Sequence, residues 1–485
     1  MTEATLIIRD EVNVKIEGLD LAMRKRLVDK FKFEIPGARY QPAVRLGRWD
    51  GKVAFFQLGG STYINLLPEI LPILDDAGYE INVDDKREYR TTFDFTPVTE
   101  DTFAETNWPV GHPMAGQPIK LRDYQIEIVN RFLENPQSLQ EVATGAGKTL
   151  MTAALSKSIE PYGRSIVIVP NKSLVEQTEA DYVNMGLDVG VYFGDRKEFG
   201  KTHTICTWQS LNILLKNTKN GNAEFTIGDF IEDVVCVMVD EAHMAKADAL
   251  KTLLTTVFAH VPIRWGLTGT IPKEQFEFMS LKVSLGDVAG RLSASELQEQ
   301  GHLANCHVNI VQMVDFVEYK EYQQELKYLL ENEDRLDYMA ALINNIKESG
   351  NTLVLVDRVT PGKLLTEKIG DAVFVSGTTK STARKAEYAE VATSDGKVIV
   401  ATYGVAAVGI NIPRIFNLVL VEPGKSFVRV IQSIGRGIRK AEDKDFVQIW
   451  DITSTCKFAK RHLTKRKAFY KDANYPFEVE KVNWQ

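Results

Sequence analysis

The sequence has few cysteines and no long apolar run, and each absence excludes a class of protein. Its 485 residues include four cysteines, at 206, 236, 306 and 456, so no CxxC pair exists. A disulfide framework, a cysteine zinc site and a CxxC redox motif are therefore excluded. Apolar runs such as VVCVMV at 234–239 are too short to cross a bilayer, and the amino terminus lacks the pattern of a signal peptide. We expect a cytoplasmic protein that binds no membrane.

The chain also lacks an excess of basic residues. It has 58 Lys and Arg against 65 Asp and Glu, a net charge of −7, which excludes a uniformly basic surface. Two segments depart from this balance. Residues 9–52 hold eleven Lys or Arg against seven acids, interleaved with aromatics, and residues 457–471 hold seven Lys or Arg and no acid. Both segments are candidates for phosphate contacts, although solvated basic faces and core aromatics explain the same patterns.

The length suggests about three domains, and one cluster of helix and strand breakers marks a boundary. NWPVGHPMAGQP at 107–118 is rich in proline and glycine, which predicts an extended linker. The predicted organisation is an amino-terminal accessory domain that binds DNA at 1–105, a linker at 106–118, a first lobe at 119–307 and a second lobe at 308–485 that ends in a basic helix.

Short β-branched runs alternate with segments of helical period after residue 119, in two separate sets. This rhythm predicts two parallel sheets flanked by helices. The predicted strands are IVIVP at 166–170, HTICT at 203–207, VVCVMVD at 234–240 and IRWGLTG at 263–269, then TLVLVD at 352–357, AVFVSG at 372–377, KVIVAT at 397–402 and FNLVLVE at 416–422. Helical patterns cover 121–135 and 321–348.

The strongest single pattern is ATGAGKT at 143–149, followed directly by a segment of helical period. Glycines let backbone N–H groups converge on a phosphate, and the amino terminus of the next helix favours its negative charge. Lys148 is expected to bridge the β- and γ-phosphates, and Thr149 to ligate Mg²⁺. An ordinary glycine turn that caps a helix is the alternative. The residues expected to bind a nucleoside triphosphate are Thr144, Gly145, Ala146, Gly147, Lys148 and Thr149.

Two adjacent carboxylates, Asp240 and Glu241, follow the apolar strand predicted at 234–240. Carboxylates at a buried strand end are costly, so a chemical role is favoured. We expect Asp240 to hold Mg²⁺ and Glu241 to polarise the water that attacks the γ-phosphate. Capping of the next helix is the alternative, but it leaves this strand and the phosphate loop unrelated.

The order of the motifs resembles that of the two-lobed superfamily 2 DNA and RNA helicases, in their DEAH-box-bearing form. The resemblance implies an α/β fold with two tandem RecA-like lobes, each built on a parallel sheet, and a small amino-terminal α+β accessory domain. It also implies ATP hydrolysis coupled to movement on nucleic acid. The motifs are LRDYQ at 121–125, ATGAGKT at 143–149, IVPNKSLVEQ at 168–177, ICTWQSL at 205–211, VDEAH at 239–243, LTGT at 267–270, TLVLVDR at 352–358, VIVATYGVAAVGINIP at 398–413 and QSIGRGIRK at 432–440.

The resemblance assigns catalytic and nucleotide-binding roles to side chains of the second lobe. Arg436 and Arg439 lie three apart, so on a helix they project from one face and can act as arginine fingers on the γ-phosphate. Gly409 and Asn411 belong to a nucleotide-binding motif in which many relatives have Asp in place of Asn411. An amide brings hydrogen bonds but no charge, so the role of Asn411 is less defined than that of Gly409.

Other side chains in the same motifs are expected to read the adenine or to couple hydrolysis to movement. Arg122 and Gln125 are the adenine-reading candidates, because an amide can pair with the N6 and N7 edge. His243, Thr268 and Gln432 are the coupling candidates. A helix-surface glutamine and a satisfied polar histidine are the alternatives for Gln125 and His243.

Hydroxyl and amide side chains at helix starts suit phosphate oxygens, although each alone can be a helix cap. As a set along one rim they favour sequence-independent tracking of a nucleic-acid backbone. The expected nucleic-acid contacts are Asn171, Ser173, Thr207, Gln209, Ser210, Arg358 and Thr402, together with Arg45, Arg48 and Trp49 in the amino-terminal domain.

The amino-terminal stretch RYQPAVRLGRWDGKVAFF at 39–56 is similar to that of recombination helicases of T-even phages. The similarity implies an enzyme that remodels forks, Holliday junctions, D-loops and R-loops in the cytoplasm of a host cell. Its expected partners are single-stranded and branched DNA, RNA in R-loops, and recombination or single-strand-binding proteins. An ATP-gated clamp without processive unwinding and an RNA helicase are the alternatives.

Overall fold

The chain forms two compact units, Met1–Val142 with Gly147–Arg291 and Ala143–Ala146 with Leu292–Gln485. A computed structural model describes residues 2–87, 92–110, 114–198, 200–222, 224–244, 247–377, 379, 388–391, 393–405, 414–424 and 445–485. Over these ranges, no helix is both long enough and apolar enough to cross a bilayer.

The amino-terminal region is a small α+β fold, as predicted. Its sheet has the strand order β5-β2-β1-β6, and only β1 and β6 pair in parallel. Two helices contribute Leu27, Ile70 and Leu74 to its core. The elements are β1 Thr2–Ile8, β2 Asn13–Glu17, α1 Leu21–Lys30, β3 Lys32–Glu34, α2 Pro42–Arg45, β4 Lys52–Ala54, β5 Ser61–Tyr63, α3 Leu67–Asp76 and β6 Tyr79–Asp85.

The segment predicted as an extended linker instead doubles back on itself. Strands β7, Phe103–Asn107, and β8, Pro118–Ile119, pair antiparallel. The backbone N–H of Trp108 donates to the Gln117 carbonyl at 2.9 Å. Gly116 has φ 81°, a conformation that glycine adopts without strain, so the chain can reverse there. Residues 111–113 lie outside the described part of the chain.

The first unit contains the first predicted parallel sheet, with strand order β12-β11-β13-β10-β14-β15-β9-β16. Strands β13 and β14 are buried along their whole length, which explains the continuous apolar sequence of β14. The elements are α4 Asp123–Glu134, β9 Gln137–Val142, α5 Lys148–Ile159, β10 Arg164–Val169, α6 Lys172–Asn184, β11 Val189–Phe193, β12 Arg196–Lys197, β13 His203–Thr207, α7 Trp208–Lys219, α8 Ile227–Ile231, β14 Val234–Asp240, α9 Ala247–Thr252, β15 Ile263–Thr268, α10 Gln275–Leu285 and β16 Asp287–Leu292.

The second unit contains the other predicted parallel sheet, with strand order β19-β20-β18-β21-β22-β17-β23 and every described pair parallel. The helical pattern predicted at 321–348 is split in two at Asn332, whose side chain caps the second helix. The elements are α11 Ala294–Glu299, β17 Asn305–Met313, α12 Tyr322–Glu331, α13 Glu333–Ile346, β18 Thr352–Val356, α14 Val359–Ile369, β19 Ala372–Val375, β20 Val398–Thr402, β21 Asn417–Val421, β22 Phe446–Ser454, α15 Lys457–Asp472 and β23 Phe477–Val482.

The amino-terminal sheet and the first parallel sheet share a core. Helix α10 contributes Phe276, Met279 and Val283 to the amino-terminal apolar cluster. The ammonium of Lys282 donates to the Glu69 carboxylate at 2.6 Å across the same junction. The division at 105, 118 and 307 stays a prediction. The structure places residues 1–142 in one unit with residues 147–291, and β17 begins at Asn305.

Candidate active site

The loop of ATGAGKT connects strand β9 to helix α5, the arrangement that the sequence predicted. Gly145 and Gly147 have φ values of 94° and 81°, which L side chains rarely adopt. A Cβ on Gly147 would lie 2.7 Å from Nε2 of Gln125, so a side chain there would also clash. Lys148 and Thr149 are the first two residues of α5, where free backbone N–H groups and the helix dipole favour an anion.

Gln125, an adenine-reading candidate, is buried beside this loop. Its Oε1 accepts the backbone N–H of Arg122 at 2.9 Å, which fixes the orientation of the amide at the start of α4. The guanidinium of Arg122 donates to the Tyr124 hydroxyl at 3.2 Å. The structure therefore positions the Gln125 amide against Gly147, and its reading of adenine stays a prediction.

Lys148 and Glu241 meet, although 93 residues separate them in sequence. The Lys148 Nζ lies 2.5 Å from Glu241 Oε1, and both side chains are about nine-tenths buried. Glu241 follows β14 with φ 50°, a strained conformation for a residue with a side chain. Such strain costs roughly 1–3 kcal/mol and concentrates at functional sites. The Glu241 N–H donates to Asp240 Oδ1 at 2.8 Å, which also fixes the first carboxylate.

The environment of Asp240 favours its neutral form. Burial, opposed by the ammonium of Lys148 and assisted by the charge of Glu241, raises the pKa of this carboxyl from 3.8 to about 6. One lysine thus faces two buried carboxylates. Such an excess of buried negative charge is costly unless a cation joins the site.

His243 and Thr268, the coupling candidates in the described chain, form a direct hydrogen bond. His243 Nδ1 lies 2.5 Å from Thr268 Oγ1, and that hydroxyl donates to the Thr270 carbonyl at 2.8 Å. Since the single hydroxyl proton is used, Nδ1 of His243 must be the donor. Burial lowers the pKa of His243, which favours the neutral ring.

The sequence analysis missed one contact in this site. The backbone N–H of Gly269 donates to Glu241 Oε2 at 3.3 Å. Strand order explains the contact, because β15 lies between β14 and β9 in the sheet. The loops that follow these strands therefore meet at one edge. Topology was the missing signal, since LTGT itself was recognised in the sequence.

The expected nucleic-acid contacts of the first unit lie together at the carboxyl edge of its sheet. Asn171 caps α6, and Thr207 caps α7, on the neighbouring strands β10 and β13. Ser210 donates its N–H to Thr207 Oγ1 at 3.3 Å, and Gln209 donates to the Pro170 carbonyl at 3.3 Å. Ser173 lies in the first turn of α6. Helix capping, the alternative interpretation, therefore accounts for the side-chain oxygens of Asn171 and Thr207.

The other expected nucleic-acid contacts lie in the second unit and in the amino-terminal domain. Arg358 directly precedes α14 after β18, without a capping hydrogen bond from its side chain, and Thr402 ends the neighbouring strand β20. Both therefore lie at the carboxyl edge of the second sheet. In the amino-terminal domain, Arg45 and Arg48 are exposed, whereas Trp49 is half-buried and donates to the Lys52 carbonyl at 3.0 Å. Gly409, Asn411, Gln432, Arg436 and Arg439 lie outside the described residues.

The basic run at 457–471 is not uniformly solvated, which corrects one reading of the sequence. Arg466 is fully buried, and its guanidinium donates to both carboxylate oxygens of Asp451 at 2.8 and 2.9 Å. Its Nη1 also donates to the Gly424 carbonyl at 2.7 Å. Arg466 is therefore committed to the fold. A second fully buried arginine, Arg335, holds Asp315 in the same way, at 3.0 and 2.8 Å.

Three family matches follow one another along the chain. Residues 4–84 match the family described as "DNA helicase UvsW, N-terminal", residues 118–273 match "Type III restriction enzyme, res subunit", and residues 310–441 match "Helicase conserved C-terminal domain". With the fold and the site geometry, these matches define the class: the chain is an ATP-dependent helicase or translocase, similar to the superfamily 2 helicases.

Within that class the chain is similar to UvsW. It is 24% identical over 465 residues to the ATP-dependent DNA helicase uvsW of Enterobacteria phage T4, covering 91% of this chain and 89% of that one. It is 22% identical over 382 residues to the helicase/translocase subunit XPB/SSL2 of Saccharomyces cerevisiae, covering 74% and 44%. A Type ISP restriction-modification enzyme, LlaBIII, shares the fold with TM-score 0.57 at 15% identity, covering 86% and 34%.

Proposed function

We propose that this chain is an ATP-driven DNA helicase that remodels branched DNA, including forks, Holliday junctions, D-loops and R-loops, in recombination, replication and repair. The observation that carries the proposal is the similarity to UvsW over nine-tenths of both chains, including the amino-terminal residues 4–84. The matches to the two parallel-sheet units alone would support only a general helicase, whereas the match at residues 4–84 supports a helicase like UvsW.

The first unit supplies the chemistry of ATP hydrolysis. Lys148 binds the phosphates, and the helix amino terminus beside it favours their charge. Glu241, already turned towards Lys148 by its backbone, polarises the attacking water. Arg436 and Arg439 complete the charge neutralisation as arginine fingers, a role that stays a prediction because both lie outside the described residues.

The donor set near Asp240 fits Mg²⁺. A magnesium ion in such enzymes takes one or two carboxylates and the substrate phosphates, and it needs no all-protein cage. Asp240 and the Thr149 hydroxyl offer oxygen donors of that kind. Among the described residues, no three or more His, Cys, Asp or Glu form a cluster able to hold a metal. When bound, the ion supplies charge neutralisation at the phosphates.

The carboxyl edges of the two sheets bind the nucleic-acid backbone. Support comes from Asn171, whose Nδ2 is buried and has no hydrogen-bond partner in the described chain, although its Oδ1 caps α6. An amide donor with an unmet hydrogen bond is suited to a phosphate oxygen. Ser173, Thr207, Gln209 and Ser210 share this edge, and Arg358 and Thr402 have the matching position in the second sheet.

The test is an ATPase assay run in parallel with single-stranded DNA, duplex, forked DNA, a four-way junction and RNA. We expect the forked and four-way DNA to stimulate hydrolysis most, together with strand displacement on the fork. Lys148→Ala should abolish hydrolysis, because Lys148 is the lysine that begins α5 after the glycine loop and is assigned to the phosphates.

The outcomes separate the candidates. Equal stimulation by every substrate would leave a motor without preference for branches, and stimulation by RNA alone would favour an RNA helicase. Affinity that depends on ATP without strand displacement would favour a clamp. Hydrolysis that persists in Lys148→Ala would contradict the assignment of the site itself.

A further inference from the structure

A pocket of about 540 Å³ lies at the carboxyl edge of the second sheet, apart from the residues assigned above. One wall is the segment Asp315 to Glu318, which follows β17, and the other is the first two turns of α15, which follows β22. Strands β17 and β22 are neighbours. This volume is within the range of small-ligand sites, which is roughly 300–1,000 Å³.

The pocket is cationic. Lys457, Lys460 and Arg461 line it from α15 and are exposed, and in the described chain no ion pair joins any of them to a carboxylate. Of the two acids in the lining, Asp315 is held by Arg335 at 2.8 Å, so its charge is already compensated. Glu318 is therefore the one acid opposing three cations.

The amino terminus of α15 is not itself the anion site. The buried Glu325 carboxylate accepts the N–H groups of Phe458 and Ala459 at 3.1 and 2.8 Å, so two of the free donors at this helix start are occupied. The attraction for an anion must come from the lysine and arginine side chains. Long side chains of this kind can follow a flexible backbone of phosphates.

An exposed aromatic stands at the rim of the pocket. Phe316 is 81% exposed, and it is the most exposed aromatic among the large hydrophobic residues of the described chain. A phenylalanine held in solvent beside three cations has no role in the core. Aromatic rings next to basic side chains are the usual platform for stacking unpaired bases.

A short chain of contacts links Arg358, an expected nucleic-acid contact, to the helix that forms the cationic wall. The Arg358 guanidinium donates to Gln323 Oε1 at 2.6 Å, at the start of α12. The neighbouring Tyr322 ring packs on Phe458 and His462 of α15, with centroids 6.0 and 5.0 Å away. The consecutive residues Tyr322 and Gln323 therefore connect α15 to Arg358.

From these observations we propose that the pocket formed by residues 315–318 and the start of α15 binds a single-stranded polynucleotide. Phe316 stacks on a base, and Lys457, Lys460 and Arg461 contact the flanking phosphates. The strand reaches the pocket from the carboxyl edge that carries Arg358 and Thr402. This inference rests on the proposed function and adds a binding site to it.

The experiment measures binding of fluorescein-labelled oligo-dT, the same oligomer with abasic sites, and oligo-U, over a range of salt concentrations. Phe316→Ala should weaken binding of oligo-dT about tenfold and should remove the preference over the abasic oligomer. Lys460→Ala with Arg461→Ala should lower the slope of log Kd against log salt by about 1.4, since each lost contact to a single strand accounts for about 0.7. Glu318→Gln should tighten binding, because it removes the opposing charge.

The matched control is Lys465→Ala with Lys471→Ala, which removes the same charge from exposed positions of α15 outside the pocket. Its salt slope should stay at the wild-type value. If both double variants change the slope equally, the pocket is not the site and general attraction explains the effect. Equal binding of dT and the abasic oligomer by the wild type would overturn the stacking role.

The same assays separate this inference from the proposed function. Wild-type hydrolysis that nucleic acid stimulates, together with unchanged binding in Phe316→Ala and in Lys460→Ala with Arg461→Ala, would overturn the pocket and leave the motor standing. Wild-type protein that binds neither oligo-dT nor oligo-U would overturn both. The substituted side chains are exposed, so we expect unchanged thermal unfolding, and preference for oligo-U over oligo-dT would assign the pocket to RNA.

Discussion

Two glutamates occupy matching backbone positions in the two parallel sheets, but their partners differ. Glu241 follows β14 with φ 50°, and Glu422 follows β21 with φ 42°, and both side chains are buried. Glu241 is paired with Lys148, the first residue of a helix that follows a glycine loop. Glu422 lies 3.4 Å from the fully buried Arg335 and accepts the Thr453 hydroxyl at 3.2 Å.

The difference separates a chemical site from a structural one. Around Glu422, the carboxylates Asp315 and Asp451 each have their own buried arginine. Burial raises the pKa of Glu422 itself to about 7, so this third carboxyl is neutral below that pH and the charges then balance within the fold. Around Glu241, one lysine faces two carboxylates, so the negative charge is compensated only when a further cation joins the site. A buried charge that the fold leaves uncompensated is the better guide to function.

The largest expected effect comes from removing the two glutamate charges separately. Glu241→Gln should lower kcat for ATP hydrolysis by about 10²–10⁴, the usual contribution of a general base. Glu422→Gln keeps the hydrogen bonds and should leave kcat within about threefold of the wild type, since a neutral amide of the same shape loses little. Steady-state ATPase assays at saturating nucleic acid measure both. Equal losses in the two variants would contradict the comparison.

The next largest effect concerns the stability of the second unit, where Arg466 and Asp451 form a buried ion pair. Arg466→Leu leaves Asp451 buried without its partner and should reduce the free energy of unfolding of the second unit by about 3–5 kcal/mol. Adding Asp451→Leu should restore much of the loss, because a buried pair can be replaced by apolar groups. Denaturant unfolding monitored by circular dichroism measures this. The control Lys465→Leu, at an exposed neighbour, should change stability by less than about 0.5 kcal/mol.

The smallest effect is a pH dependence. Burial raises the pKa of Glu422 from 4.5 to about 7, against the opposing charges of Arg335 and Arg466. Between those values the folded protein holds a proton that the unfolded chain releases, so stability from this group falls as the pH rises. We expect the wild type to lose about 2 kcal/mol more than Glu422→Gln between pH 5.5 and 7.5, by denaturant unfolding. Parallel pH profiles would mean that Glu422 does not titrate in this range.

The sequence predicted those strands that are buried on both faces. Strand β14 carries a continuous apolar run and β13 a short run with β-branched residues, and the structure has them at the predicted residues 234–240 and 203–207. Strand β9 was missed because its buried residues include Ser138 and Gln140. Their side chains bond to the carbonyls of Asn135 and Ile128, and such partners cannot be read from hydrophobic pattern.

Some contacts of the charged sites could be predicted from the sequence, and others depend on the tertiary structure. Motif order suggested that Lys148 and Glu241 belong together, and the structure places them in contact. The partner of Arg466 could not be predicted, since a basic residue in a basic run resembles a solvated one until Asp451 approaches from another strand. Contacts that depend on strand order, such as that of Gly269 with Glu241, require the fold itself.

Helix α10 links the nucleotide site to the amino-terminal sheet. It begins at Gln275, shortly after the LTGT loop whose backbone holds Glu241, and its Phe276, Met279 and Val283 complete the amino-terminal core. A truncated chain that starts at the first parallel sheet would expose this apolar face of α10 to water, at a cost of roughly 1.5–3 kcal/mol for each large side chain. The amino-terminal sheet therefore covers one face of helix α10. A force applied to that sheet would be transmitted to α10, the helix that follows the LTGT loop.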